Sequence, residues 1–171
     1  MNTSRADTIW RLMAPDDLGH VTTLAARVHP DYPEDTTIFA ERLRLAPAGC
    51  LSLMLDGQFG GYLISHSWRG LLSPPLNTLL GSLPTPADRW YIHDLVVAPQ
   101  GRGQGHAQVA ITLAENAARQ AGLPTLTLTS TRHALQFWAR QGFVPEEISA
   151  EEQAILASYD PQACLLSRPV G

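Results

Sequence analysis

Residues 90–107 read WYIHDLVVAPQGRGQGHA. A β-prone apolar run, Tyr91 to Val97, breaks at Pro99, crosses Gly101, Gly103 and Gly105, and enters a helix-forming stretch. A strand that leads through a glycine-rich turn into a helix N-terminus is a place to hold phosphates. The first-turn N–H groups have no partner inside the helix, and the helix dipole favours an anion there.

Three phosphate-binding patterns compete for this run. A Walker loop needs Gly-Lys-Ser/Thr at the helix start, and none is present. The dinucleotide pattern G-x-G-x-x-G fails from Gly101, where the last position is His106, and from Gly103, where it is Gln108. The third pattern, Gln/Arg-x-x-Gly-x-Gly/Ala, is met by Gln100, Gly103 and Gly105.

The flanking chain supplies the supporting elements. Upstream, residues 8–13 read as a strand and residues 15–28 as a helix with Leu18, Val21, Leu24, Ala25 and Val28 on one face, ended by His29-Pro30 and followed by an acidic loop at Asp31 to Asp35. A second helix covers residues 36–45 and stops at Pro47. Cys50 to Leu55 and Phe59 to Trp68 form a hairpin around Asp56-Gly57, a pair suited to a type I′ turn. Gly60 and Gly61 suggest a bulge or a close backbone approach. Residues 69–89, with four prolines and six leucines, read as a partly buried excursion with one short helix near Asn77 to Gly81.

Downstream, a helix spans about residues 104–121, with Ala107, Ala110, Leu113, Ala114, Ala117 and Ala121 on its inner face. Then follow a strand at 125–129, a short helix at 134–141 and a strand beginning at Phe143. A helix capped by Ser149 and Glu152 and a last strand at 163–168 complete the order. The fold class is α/β, with a mixed sheet of six to seven strands flanked by helices, a largely antiparallel front and one parallel crossover.

Composition bounds the function. The chain has 171 residues, 44% of them hydrophobic and 16% charged, with a net charge of −4. These values suit a single globular domain over residues 1–171 and give no basic stripe for nucleic acid. No apolar run approaches the ~20 residues of a membrane span. The first seven residues lack the apolar centre of a secretory signal, so a cytoplasmic location is expected. Cys50 and Cys164 read as core residues, and no metal is expected.

At the glycine run the chain resembles the GNAT superfamily, the acyl-CoA-dependent N-acetyltransferases. In that family a strand ending L-x-V, here Leu95-Val96-Val97, precedes the Q/R-x-x-G-x-G/A loop. A later segment, A-x-x-F-Y-x-x-x-G-F, is matched by Ala134, Phe137, Trp138, Gly142 and Phe143. The resemblance implies a GNAT-type sheet splayed after the L-x-V segment at the acyl-CoA site, and acetyl-CoA as co-substrate. It implies cofactor contacts from Leu95, Val96, Val97, Gln100, Gly101, Arg102, Gly103, Gln104, Gly105, His106 and Ala107, and from Ser130, Ala134, Phe137 and Trp138. A Val97 N–H would polarise the thioester carbonyl, an oxyanion-type contribution of about 3–4 kcal/mol. The partner is an amine, small or peptide-borne, and a homodimer would accord with many relatives.

Acetyl transfer to an amine needs a base with a pKa near neutral. In several relatives the base sits two or four residues before the L of L-x-V, which here gives His93 or Tyr91. His93 is the first candidate, directly or through water; the alternative is a structural core histidine. Strand alternation sends Asp94 to the opposite face unless a bulge intervenes. The family's acid-donating tyrosine position holds Trp138, so Tyr159, Ser130 or solvent is left to protonate the thiolate. Tyr32, Glu34, His66 and Trp68 are the acceptor-side candidates, with a carboxylate such as Glu34 or Asp35 available to a cationic amine.

Overall fold

The computed structural model describes residues 9–158 and 160–171. In chain order the elements are β1 (Ile9–Leu12), α1 (Leu18–Val28), α2 (Thr36–Leu45), β2 (Cys50–Leu55), β3 (Gln58–Trp68) and β4 (Arg89–Val97). They continue with α3 (His106–Gln120), β5 (Thr125–Ser130), α4 (Leu135–Arg140), β6 (Val144–Pro145), α5 (Ala150–Ala157) and β7 (Cys164–Pro169). One seven-stranded sheet runs β1-β2-β3-β4-β5-β7-β6. Every neighbouring pair is antiparallel except β4–β5, which α3 connects.

Local chemistry explains most boundaries. Asp56 and Gly57 both take positive φ (50° and 76°), as a type I′ hairpin requires. Gly60 is the extra residue of a bulge, because Leu53 pairs with Gly61 and Met54 with Phe59. Ser149 Oγ accepts from Glu152 N while the Glu152 carboxylate accepts from Ser149 N, closing both ends of the capping box on α5. Of the strand expected from Phe143, only Val144 and Pro145 pair.

The helices lie on both faces. α1 and α2 bury Val21, Leu24, Ile38 and Phe39; Val21, Leu24 and Phe39 pack with Tyr62, Ile64 and Val96. On the other face, α3 meets Leu63, Ile92, Leu126 and Leu128. Its inner face is Ala110, Ile111, Ala114 and Ala118, rotated from the expected one; Ala121 is exposed and Ala107 and Leu113 only half-buried. Ile111 supplies the bulk, and each such fully buried aliphatic side chain contributes about 1.5–3 kcal/mol.

No helix forms near Asn77 to Gly81. Asn77 takes a positive φ of 52°. The N–H groups of Leu80 and Gly81 are drawn to the buried Glu41 carboxylate at 2.6 and 3.0 Å. The leucines that suggested a partly buried excursion divide: Leu72 and Leu79 are exposed, Leu71, Leu76, Leu80 and Leu83 half-buried.

Asp17, at the start of α1, ties β1 and β2 together. Arg11 donates to both its oxygens (2.7 and 2.8 Å), and Ala14 N and Ser52 Oγ add bonds of 2.8 and 2.9 Å. The Arg11 hydrogen bonds are the main reason its pKa falls to about 2, against the opposing effect of burial. A depressed folded-state pKa stabilises the protein above the unfolded value, about 3.9. That contribution is lost as pH falls towards 2. Urea denaturation should therefore show stability dropping between about pH 4 and pH 2. Asp17→Asn should be less stable at neutral pH and flatter across that window.

Candidate functional site

The glycine run makes a preformed anion cradle. Pro99–Gly101 form one 3-10 turn, and Gly103 and Gly105 follow with φ of 78° and 83°. Gly105 is the N-cap of α3, and Val109 N is the first to bond back, to Gly105 O. The N–H groups of His106, Ala107 and Gln108 are thus left without an intrahelical partner. A Cβ at Gly103 or Gly105 would meet no protein atom within 4 Å, so these glycines border open space. Gly101 is instead packed inward, where a Cβ would lie 2.8 Å from Leu55. Gln100, Arg102 and Gln104 are exposed; Arg102 Nε donates back to Val97 O at 3.2 Å.

Beside the cradle the sheet opens. The parallel β4–β5 ladder holds for Trp90, Tyr91 and Ile92 and then ends. The splay therefore begins before Leu95, earlier than expected from the L-x-V segment. On the other side β4 stays paired with β3 to Val97. Ala98 N bonds Gly60 O, its directly opposite residue. By antiparallel alternation Val96 and Asp94 also bond β3, which turns the N–H groups of Leu95 and Val97 to the open side.

A second irregularity decides which side chains reach the opening. Ile64 pairs with Asp94 but Ser65 with Ile92, so His93 is an extra residue on β4. This bulge breaks the alternation that would have sent Asp94 to the far face. His93 and Asp94 consequently line the same cavity, about 180 Å³, which opens where β4 and β5 part.

Two imidazole–carboxylate pairs stand in its wall. His93 Nε2 lies 2.7 Å from Glu34 Oε1, both side chains under a tenth exposed. Glu34 Oε2 takes the Asn77 N–H at 3.0 Å. Burial opposes the Glu34 charge, but the His93 charge and hydrogen bond and the Asn77 N–H outweigh it and hold the carboxyl below its ordinary pKa. An ionised Glu34 only accepts, so His93 carries a hydrogen on Nε2. The other pair is His29 Nε2 with Asp94 Oδ1 at 3.0 Å, and Tyr62 OH donates to Asp94 Oδ2 at 2.6 Å. Burial works against a charge on His29, yet the Asp94 hydrogen bond and charge prevail and raise its pKa.

The remaining candidates divide. Tyr32, Ser130, Ala134 and Trp138 line the cavity. Tyr32 OH donates to Asp160, Ser130 Oγ to Thr131 O, and Phe137 stands edge-on to Trp138 with centroids 5.0 Å apart. Tyr91 is buried and donates to Thr129 Oγ1, with its phenol pKa pushed up to about 12 by burial. His66 lies outside the cavity lining: it is fully buried between Trp68 and Tyr91, donates Nδ1 to Ser67 O, and burial lowers its pKa to about 3. Trp68 is likewise outside, its indole N–H on Leu72 O. Tyr159 lies outside the described residues. His29, read from sequence only as a helix end, is the residue the sequence analysis missed; its signal was a titratable group leading into the acidic loop.

The description "Acetyltransferase (GNAT) family" belongs to the family model that matches residues 9–143. A search of curated proteins finds no match. Among solved structures, Ard1 from Thermoplasma volcanium is similar at a TM-score of 0.72 and 13% identity, over 97% of this chain and 99% of that one. The loading GNATL domain of CurA from Lyngbya majuscula is similar at 0.75 and 13%, over 95% and 98%. Arabidopsis thaliana Naa50, in complex with the bisubstrate analogue CoA-Ac-MVNAL, is similar at 0.67 and 14%, over 95% and 99%. Among the described residues no helix is long and apolar enough to cross a membrane.

The His29 assignment has a direct check. In an NMR titration His29 should titrate above an ordinary histidine. In Asp94→Asn, where burial remains and the carboxylate is gone, its pKa should fall below that of an ordinary histidine. An unchanged pKa in the variant would show that Asp94 does not set its charge.

Proposed function

Because this chain belongs to the acetyltransferase (GNAT) family, we propose that it moves an acetyl group from acetyl-CoA to a primary amine by direct attack in a ternary complex. The observation that carries this reading is the His93–Glu34 pair, set where β4 leaves β5 on the strand that runs on into the glycine turn. The unpaired N–H groups at the start of α3 suit the pyrophosphate of CoA, and the open edge of β4 suits its pantetheine arm, which pairs as a peptide strand would.

In the proposed reaction, Val97 N–H donates to the thioester carbonyl and stabilises the charge that develops on its oxygen. His93 Nδ1 takes the proton of the attacking amine, while Glu34 holds the ring and offsets the charge it gains. This is general base catalysis, worth roughly 10²–10⁴-fold in rate. The C–N bond forms, the C–S bond breaks, and the CoA thiolate leaves. Trp138 stands at the family's tyrosine position and its indole is only a donor of N–H, so protonation falls to Ser130, to Tyr159 or to solvent. The acceptor is a small-molecule amine or a peptide amine; among the similar structures, Naa50 holds the bisubstrate analogue CoA-Ac-MVNAL.

Trp138 also motivates a second reading, a non-catalytic acyl-CoA-binding module. Tight CoA binding with no thiol release across a broad amine panel would favour it.

His93→Ala should lower kcat about 100-fold or more, while isothermal titration gives an acetyl-CoA Kd close to the parent's. Equal kcat in variant and parent at every pH would sink the base assignment. Gly103→Val and Gly105→Val should abolish CoA binding, since a side chain there enters the open space and the backbone is held at positive φ. A parent protein that binds neither CoA nor acetyl-CoA would overturn the whole reading.

A further inference from the structure

Three carboxylates line the cavity: Glu34, Asp94 and Asp160. All six of their oxygens already accept a hydrogen bond from the protein. Glu34 takes His93 Nε2 and Asn77 N, at 2.7 and 3.0 Å. Asp94 takes His29 Nε2 and Tyr62 OH, at 3.0 and 2.6 Å. Asp160 takes Gln162 N and Tyr32 OH, both at 2.9 Å. Each oxygen keeps one further lone pair, so an acceptor cation would share it with a built-in donor rather than meet a bare carboxylate.

What the wall offers to a ligand is the opposite polarity. His29 is anchored through Nε2, about a third of its side chain is exposed, and no described residue bonds its Nδ1. Tyr32 and Asp160 also border a neighbouring polar recess, where Arg132 and His133 add further donors. Phe39, Leu76 and Leu95 are among its apolar walls, beside the hydroxyl-bearing Thr129, Ser130 and Thr131. The His93 bulge puts the two imidazoles on either side of one peptide unit of β4, His93 itself and the ring bonded to Asp94. An amine that carries a carboxylate one carbon away can turn its nitrogen to one ring and its oxygens to the other: a base for the nitrogen, an imidazole donor for the oxygens.

We propose, on the reading that His93 deprotonates the acceptor, that the acceptor is a free α-amino acid with an apolar side chain, its carboxylate bound by His29. The amino nitrogen bonds to the acetyl carbon, the C–S bond of acetyl-CoA breaks, the nitrogen's proton passes to His93 and the thiolate is protonated as it leaves. His29 touches the acceptor and sets specificity; Asp94 and Tyr62 position it.

The test compares leucine, leucinamide and 3-methylbutylamine by thiol release from acetyl-CoA, in the parent and in His29→Gln. Glutamine still offers Asp94 a donor but carries no charge. The parent should prefer leucine over both others by about tenfold or more in kcat/KM, mainly through KM, as a hydrogen bond to a charged group allows. In His29→Gln the preference should fall to near one, whereas a merely structural role would lower all three alike. Equal or better use of leucinamide or 3-methylbutylamine, or a preference that survives His29→Gln, would overturn the proposal.

If no amine is turned over, binding decides separately. Isothermal titration of the CoA-saturated protein should favour N-acetylleucine over N-(3-methylbutyl)acetamide by about tenfold. That result upholds the His29 site and fails only the catalytic reading. Equal binding of the two, or none, overturns the His29 site.

Discussion

Everything at this site depends on β4 leaving β5 after Ile92 while staying paired with β3 to Val97. A strand released on both sides would be a loop; a strand paired on both sides would bury its backbone groups. Held on one side only, it is rigid and still has N–H groups to give. The cradle at the start of α3 lies directly beyond the same strand, so anion site and open edge are positioned by one continuous segment, residues 93–108. The alanine face of α3 serves that segment by letting the helix lie close to the sheet.

The His93 bulge brings the ionisable side chains together. Without it, His93 and Asp94 would face opposite sides of the sheet. With it, each holds an imidazole–carboxylate contact in one cavity, Glu34 with His93 and Asp94 with His29. The excursion at residues 69–89 joins in through its backbone and the Asn77 side chain. Asn77 N fixes Glu34, Asn77 Oδ1 accepts from Asp35 N, and Arg42 and Glu41 hold Thr78, Leu80 and Gly81. A proline-rich segment with little regular structure is thereby fastened to α2 and to the loop before it, and it keeps the carboxylate behind His93 in place.

Much of this was legible from sequence where the cause is local. The Asp56-Gly57 turn, the Ser149–Glu152 capping box, the bounds of α2 and the glycine cradle each rest on a few adjacent residues. The His93–Glu34 contact was half legible: both residues were candidates, but nothing in the chain says that positions 59 apart meet. The bulge depends on the register between β3 and β4, and the early splay on where β5 ends. The turn at Asn77 misled because its N–H groups are satisfied by Glu34 and Glu41 from another element. His29 was overlooked because a histidine before a proline is well explained as a helix end.

The central claim is that the open edge of β4 receives the acyl-CoA arm. Amide hydrogen exchange measured residue by residue, with and without acetyl-CoA, tests it most directly. The Leu95 and Val97 amides should exchange quickly in the free protein and slowly with acetyl-CoA, while Val96, bonded to β3, is protected in both. Leu95 and Val97 already protected without ligand, or unchanged by it, would contradict the account.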